Sequence, residues 1–303
     1  MHYPGRLLHT TKSPFDFRGK LSDMIVTRLL AGRARRHLRD GLPPVAMFAF
    51  DYIGNEIAVR GRFEREELSA LADFLAPLAD RFANGTAVDI GANIGNHSLF
   101  FAEHFRMVHS FEPNPRTFGA LTLNAALVDN VVVHNVALGE RTETATLTFD
   151  PLNIGEASLS AGAGGSKMVD VKVERLDDLA DQFDDIAFVK IDVEGFEPQV
   201  IAGTRGMIER FHPVIAFEQN RNAFADGRSA TAELLISMGY RLCVFAKRNE
   251  GHGVAGHALA TLRKAYSGTV FDVVAIERLT PGHYPMVVAV SDADLALLAG
   301  ARP

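Results

Sequence analysis

Val88-Asp89-Ile90-Gly91-Ala92-Asn93-Ile94-Gly95-Asn96 joins a short apolar run, Thr86–Ile90, to an amphipathic one, Gly95–Phe105. The first run has the length and composition of a buried strand. It ends at Gly91, where a residue without Cβ allows a tight turn and a close backbone approach by a ligand. In the second run Leu99, Phe100, Ala102 and Phe105 fall on roughly one side of a helix. Gly95 opens that helix, whose free N–H groups favour a polar or anionic ligand end. A strand, a glycine turn and a helix make the opening unit of an α/β sheet, and the rest of the chain reads outward from it.

Downstream, Met107–Phe111, Val131–Val136, Ile186–Val193 and Pro213–Glu218 read as strands, and Pro115–Leu127, Glu197–Arg210 and Thr231–Met238 as helices. Tyr240–Phe245 and Thr269–Ile276 read as closing strands. Strands alternating with helices predict a doubly wound, Rossmann-like α/β fold with a mostly parallel sheet. Thr142–Asp150 and Val169–Val173 alternate like an inserted hairpin around the Gly-rich stretch Ser158–Lys167. Upstream, Leu21–Leu38 reads as a helix, Asp51–Gly61 as a small hairpin turning at Gly54-Asn55, and Glu64–Ala79 as a helix. Three parts are expected: a basic helical arm over residues 1–45, the α/β domain over 46–280, and a C-terminal extension packed on it over 281–303.

The chain has 303 residues, 47% apolar and 22% charged, which suits a folded protein with a substantial core. Its net charge of −6 argues against a protein built around polyanion binding, and no nucleic-acid partner is expected. The charge is uneven. Residues 1–40 hold nine Lys and Arg against three Asp, a net of +6, so the remainder carries −12. The single cysteine, Cys243, excludes an internal disulfide and a cysteine metal cluster. With no signal-like or membrane-length apolar run, a cytoplasmic protein is expected.

The ligand is read from two acidic positions. Asn93 and His97 stand where a dinucleotide fingerprint needs glycine, which disfavours a pyrophosphate and hence a nicotinamide-dependent oxidoreductase, the alternative enzyme class. Asp89 fits poorly beside a diphosphate and well beside a cationic group. Glu112, in Phe111-Glu112-Pro113-Asn114, ends the second strand 21 residues after Gly91, where a carboxylate accepts hydrogen bonds from ribose hydroxyls. A nucleoside site without a phosphate cradle, with an acid beside the ligand's tail, has the shape of S-adenosylmethionine.

These residues resemble class I S-adenosylmethionine-dependent methyltransferases, and more closely the FkbM family. The matching motifs are Val88–Gly95 (VDIGANIG), Phe111–Pro113 (FEP), Asn135–Gly139 (NVALG), Leu176–Leu179 (LDDL) and Val189–Glu197 (VKIDVEGFE). The resemblance covers about residues 50–220. It implies a seven-stranded sheet of order 3-2-1-4-5-7-6 with strand 7 antiparallel. It also implies methyl transfer, usually to oxygen, on natural products and glycans. Carried over by position, Asp89, Gly91, Asn93 and Gly95 would line the methionine and ribose part of the site. Glu112 would bind the ribose, and Asn135 and Ala137 would flank the adenine.

Lys190-Ile191-Asp192-Val193-Glu194 ends the fourth strand and puts Lys190, Asp192 and Glu194 on one side while the strand continues. Two carboxylates at the active end of a sheet are costly unless paired or used. Asp192 is expected to orient the acceptor or contact the cofactor, and Glu194 to take the acceptor hydroxyl's proton. Glu197 fits a helix-dipole charge and His97 a packing or capping role. Glu218 is a further candidate for binding acceptor or metal, and His252 and His257 share a loop, but no metal site is assigned. The acceptor is expected to be a hydroxylated small molecule or glycan. Arg33, Arg35 and Arg36 crowd the end of the basic helix and suit an acidic partner or a membrane surface. A cofactor-binding relative without catalysis is the third reading.

Overall fold

The computed structural model describes residues 17–49, 51–150, 153–158, 167–248 and 269–300. The chain opens with helices α1 (Phe17–Arg39), α2 (Tyr52–Arg60), α3 (Arg65–Leu75) and α4 (Ala79–Asn84). The glycine-turn unit follows as strand β1 (Thr86–Ile90) and helix α5 (Asn96–Ala102). Next come β2 (Met107–Phe111), α6 (Pro115–Ala125) and β3 (Val131–His134). A short β4 (Ala137–Leu138) leads to β5 (Glu143–Asp150), β6 (Asn153–Ser158) and β7 (Lys167–Glu174). The chain then makes β8 (Phe188–Ile191), α7 (Glu197–Gly203), α8 (Arg205–Phe211) and β9 (Val214–Gln219). A small pair, β10 (Phe224–Ala225) and β11 (Arg228–Ser229), precedes α9 (Ala230–Ser237). The last elements are β12 (Arg241–Lys247), β13 (Phe271–Ile276), β14 (Tyr284–Val290) and α10 (Asp292–Gly300).

Among the described residues the main sheet has eight strands in the order β13-β12-β14-β9-β8-β1-β2-β3. β3, β2, β1, β8 and β9 are mutually parallel, and β14 runs antiparallel to both β9 and β12. The doubly wound α/β class expected from the sequence is what forms. The order differs from the expected seven strands by one added edge strand, β13, which pairs antiparallel with β12. β4, β7, β5 and β6 form a second, smaller sheet, whose β5–β7 pairing realises the expected hairpin.

Alternation along the strands separates two cores. Val88, Ile90, Val189, Ile191 and Phe217 face α7, α8 and α9. Ala87, Val108, Phe188, Val214 and Ala216 face α3, α4 and α5. Asp89 and Lys190 lie opposite each other in the β1–β8 register and share the second face.

Two expectations are corrected. Asp51–Gly61 is the helix α2, not a hairpin. Gly54 is needed for close packing, since a Cβ there would lie 2.3 Å from the carbonyl oxygen of Phe48. The left-handed residue is instead Gly61, φ +84°, at the helix end. The second correction concerns the boundary at residue 280. β14 lies beyond it, yet sits inside the sheet between β9 and β12, with Val287–Val290 fully buried. A strand covered on both faces is a continuous apolar run, and its partners are set by the sheet rather than by local pattern.

Candidate active site

A cavity of about 990 Å³ opens at the carboxyl ends of β1, β2, β8 and β9, and α2 and α3 supply its outer wall. This is the position at which parallel α/β sheets bind ligands.

The turn after β1 forms one side. Gly91 has φ +80°, and a Cβ there would fall 1.8 Å from the backbone oxygen of Asp192, so only glycine lets β1 and β8 meet. The N–H groups of Gly91 and Ala92 both donate to the Phe111 carbonyl, each at 3.0 Å. Asn93, with φ +51°, turns its N–H onto Glu112 Oε2 at 2.9 Å. Glu112 Oε1 accepts from the Asn114 N–H and the Thr117 hydroxyl, both at 2.8 Å. A carboxylate has about four acceptor sites, so roughly one on Glu112 is left for a ligand. Burial pushes the Glu112 carboxyl above its ordinary range, and these three donors oppose the shift.

Of the residues expected around the cofactor, Gly91, Asn93, Glu112, Ala137 and Asp192 border the cavity. Asp89, Gly95 and Asn135 do not, and each has a scaffold contact instead. Asp89 is fully buried under the turn, where its Oδ2 accepts from Ser98 Oγ at 2.6 Å. Asp89 Oδ1 has no hydrogen-bond partner among the described residues and lies 3.7 Å from Lys190 Nζ. Gly95 has φ +88° and packs against Leu121, which a Cβ would approach to 2.8 Å. Asn135 Nδ2 donates to the carbonyls of Glu112 and Pro113 at 2.9 and 3.1 Å and pins the end of β2.

Phe111, Val136, Ala137, Leu138, Leu147 and Phe196 give the same cavity an apolar wall. Leu147 and Phe196 were not among the sequence candidates. Leu147 comes from the inserted sheet, whose position local pattern does not reveal.

The opposite side holds the second acidic group. Lys190 Nζ lies 3.0 Å from Asp192 Oδ2. Burial would raise Asp192, but the Lys190 ammonium outweighs it and holds the carboxyl below the usual range. Burial would likewise lower Lys190, and the Asp192 and Asp89 charges raise it instead. Glu218 is pushed up to about 9, first by burial and then by the charges of Asp192 and Glu194. At neutral pH it therefore keeps its proton. Glu194 sits at φ +49° and accepts from Asn220 Nδ2 at 3.1 Å. Carboxylate oxygens of Asp192, Glu194 and Glu218 come within 4.8 Å of one another. Glu197 turns away from the cavity, and its Oε1 accepts from the Gly195 N–H at 3.0 Å.

The outer wall was missed in the sequence. His97 Nε2 meets Glu64 Oε2 at 3.0 Å, joining α5 to the start of α3. Asn96 accepts from the Phe63 N–H at 2.9 Å and donates to the Phe63 carbonyl at 3.1 Å. Tyr52, Phe63 and Glu64 thereby face the carboxylates across the cavity, and His283 joins them through Asn220 at 3.2 Å. No spacing rule links residues 52–64 to the sheet, so only the fold brings them in. His252 and His257 lie outside the described residues.

Residues 89–242, about half of the chain, match the family model of the methyltransferase FkbM domain. The chain belongs to the FkbM methyltransferase family. A curated relative, the hexuronic acid methyltransferase AglP of Haloferax volcanii, is 29% identical over 129 residues, 42% of this chain and 53% of that protein. The chain thus matches about half the length of that relative. Among solved structures, a methyltransferase FkbM from Methylobacillus flagellatus KT is 17% identical at a TM-score of 0.39, covering 69% of this chain and 44% of that one. The magnesium protoporphyrin IX methyltransferase ChlM from Synechocystis PCC 6803, solved with bound SAM, is 9% identical at a TM-score of 0.41, covering 93% and 100%.

The cofactor of FkbM methyltransferases is S-adenosylmethionine, and the cavity fits it chemically. The open acceptor site on Glu112 suits a ribose hydroxyl. The apolar wall of Phe111, Val136 and Ala137 suits a flat purine, and the ionised Asp192 suits a cationic ligand. The same chemistry sets aside the nicotinamide alternative, because the turn at Asn93 spends its N–H on Glu112 instead of a phosphate.

Proposed function

We propose that this chain is an S-adenosylmethionine-dependent O-methyltransferase acting on a hydroxyl group of a small molecule or glycan. The observation that carries the reading is one cavity with Glu112 at one end and Asp192, Glu194 and Glu218 at the other. Bound S-adenosylmethionine supplies an activated methyl group on a cationic sulfur. With the methyl group supplied in that way, the acceptor hydroxyl would give up its proton to a group of this chain.

The three carboxyls differ in what they do with that proton. Asp192 is held ionised by Lys190, so it is a weak base and a good acceptor of an orienting hydrogen bond from the substrate. Glu218 already carries a proton at neutral pH and donates it in a hydrogen bond to Asp192, so it holds that carboxylate in place beside the acceptor. Glu194 is the carboxylate left to receive the proton as the methyl group moves. Tyr52, Phe63 and Glu64 on the outer wall hold the acceptor in line, and alignment supplies much of the rate in such a displacement. The hexuronic acid in the name of the Haloferax volcanii relative supports a sugar-like acceptor.

Calorimetry with S-adenosylhomocysteine tests the cofactor half: binding to the wild type is expected, and its absence in a folded sample refutes it. Incubation with methyl-labelled cofactor in host extract, followed by identification of the product, tests the other half. Label on nitrogen or carbon in place of oxygen overturns the O-methyl assignment.

A further inference from the structure

The cavity gives a role to acids of the body but none to α1. Every residue of this helix from Lys20 to Arg36 is exposed. Leu21, Met24, Ile25, Val26, Leu29 and Leu30 are between 41% and 63% exposed. Single exposed apolar residues are ordinary, whereas a contiguous cluster marks an interaction surface. Directly after the cluster come Arg33, Arg35, Arg36 and Arg39, and the helix as a whole holds seven Lys and Arg against one Asp. Its basic end is fastened to α2, where Arg33 Nη1 donates to the Val59 carbonyl at 2.9 Å.

Charge and polarity together select the occupant. A nucleic acid would engage the arginines and leave six apolar side chains in water. A second copy paired about a two-fold axis would bring a +6 helix against its equal. An anionic lipid surface satisfies both features, because the acyl boundary takes the apolar side chains and lipid phosphates take the guanidinium groups. We propose that α1 docks this protein on the surface of an anionic bilayer. Docking is peripheral: among the described residues no helix is long and apolar enough to cross a membrane. α1 packs on α2, which lends Tyr52, Ile53, Glu56 and Arg60 to the cavity wall, so the docked cleft stands beside the lipid surface on its α2 side.

The test is flotation of the full chain with vesicles of phosphatidylcholine alone or mixed with phosphatidylglycerol. Binding is expected only to the mixed vesicles and weakens as salt rises. Ile25→Glu with Leu29→Glu lowers the bound fraction about tenfold or more, and Arg35→Glu with Arg36→Glu removes the preference for phosphatidylglycerol. Both variants lie outside the cavity, so they keep the wild-type circular dichroism spectrum and S-adenosylhomocysteine affinity. A wild type that ignores both vesicles overturns the proposal, as does binding indifferent to both double variants. A dimer in light scattering that Ile25→Glu with Leu29→Glu dissociates, without vesicle binding, assigns the helix to a second copy and equally overturns it.

Discussion

Replacing Lys190 by Met probes the electrostatics of the whole site. Lys190 Nζ stands 3.0 Å from Asp192 Oδ2 and 3.7 Å from Asp89 Oδ1, and Asp89 is fully buried. Methionine keeps most of the volume, so the packing loss is small. The charge loss is not: removing one partner of a buried ion pair strands the other and costs about 3–5 kcal/mol. At about 2 °C per kcal/mol for a chain of this size, Tm should fall by roughly 6–10 °C near neutral pH. The pH dependence gives a second check. In the wild type Asp192 is depressed, so it contributes stability above its unfolded pKa of about 3.9 and loses it as pH falls through the folded value. Without Lys190, burial acts on Asp192 alone, its pKa rises, and protonation relieves the strain. The Tm deficit is therefore full near neutral pH and shrinks as pH falls toward about 4. Adding Asp89→Asn to Lys190→Met removes the stranded charge and recovers part of the loss. Differential scanning calorimetry from about pH 8 to about pH 4 reads all of this. A deficit under about 2 °C, or one that grows as pH falls, refutes the reasoning.

Three further outcomes can be measured directly. Glu112→Ala removes a carboxyl that also holds the Asn93 N–H, and should weaken S-adenosylhomocysteine binding by about 10- to 100-fold in calorimetry, with an unchanged Kd counting against the ribose assignment. Glu194→Gln should lower kcat about 100-fold with S-adenosylhomocysteine affinity within about twofold of wild type, and an unaltered kcat removes Glu194 as the base. Glu218→Gln should stabilise the protein above about pH 5: a carboxyl raised to about 9 burdens the fold from its unfolded pKa upward, and the gain levels off above about 9. A gain confined to acidic pH contradicts that sign.

What could be read from the sequence was local. The β1 turn was legible because Gly91 and Asn93 lie next to the strand they end and adopt the backbone the spacing demanded. Glu112 was legible for the same reason, at a fixed place one strand away. Where the reading failed, the deciding contact lay outside the stretch being read. Gly54-Asn55 looks like a turn until the Phe48 carbonyl shows why the glycine is there. β14 pairs with β9 and β12, strands far from it in sequence, and nothing in its own pattern names them. Asp89, Gly95 and Asn135 stand in the expected motifs but do not border the cavity, and their side-chain or Cβ positions meet Ser98, Leu121 and the Pro113 carbonyl. A motif records that a position is constrained. It does not record whether the constraint comes from the ligand or from the scaffold beneath it.

The acidic site illustrates how far charge counting can carry. Asp192, Glu194 and Glu218 meet within 4.8 Å, and three full negative charges at that spacing would repel one another strongly at low dielectric. The fold avoids this by giving them different protonation states. Lys190 keeps Asp192 ionised, while burial and that retained charge keep Glu218 neutral. One group's ionisation thus fixes its neighbour's proton, which Glu218 donates to Asp192 in a hydrogen bond. Formal charge therefore overstates the acidity of the cavity and understates its asymmetry. On the proposed reading, the acceptor's hydroxyl donates to the carboxylate oxygens that this internal hydrogen bond leaves open.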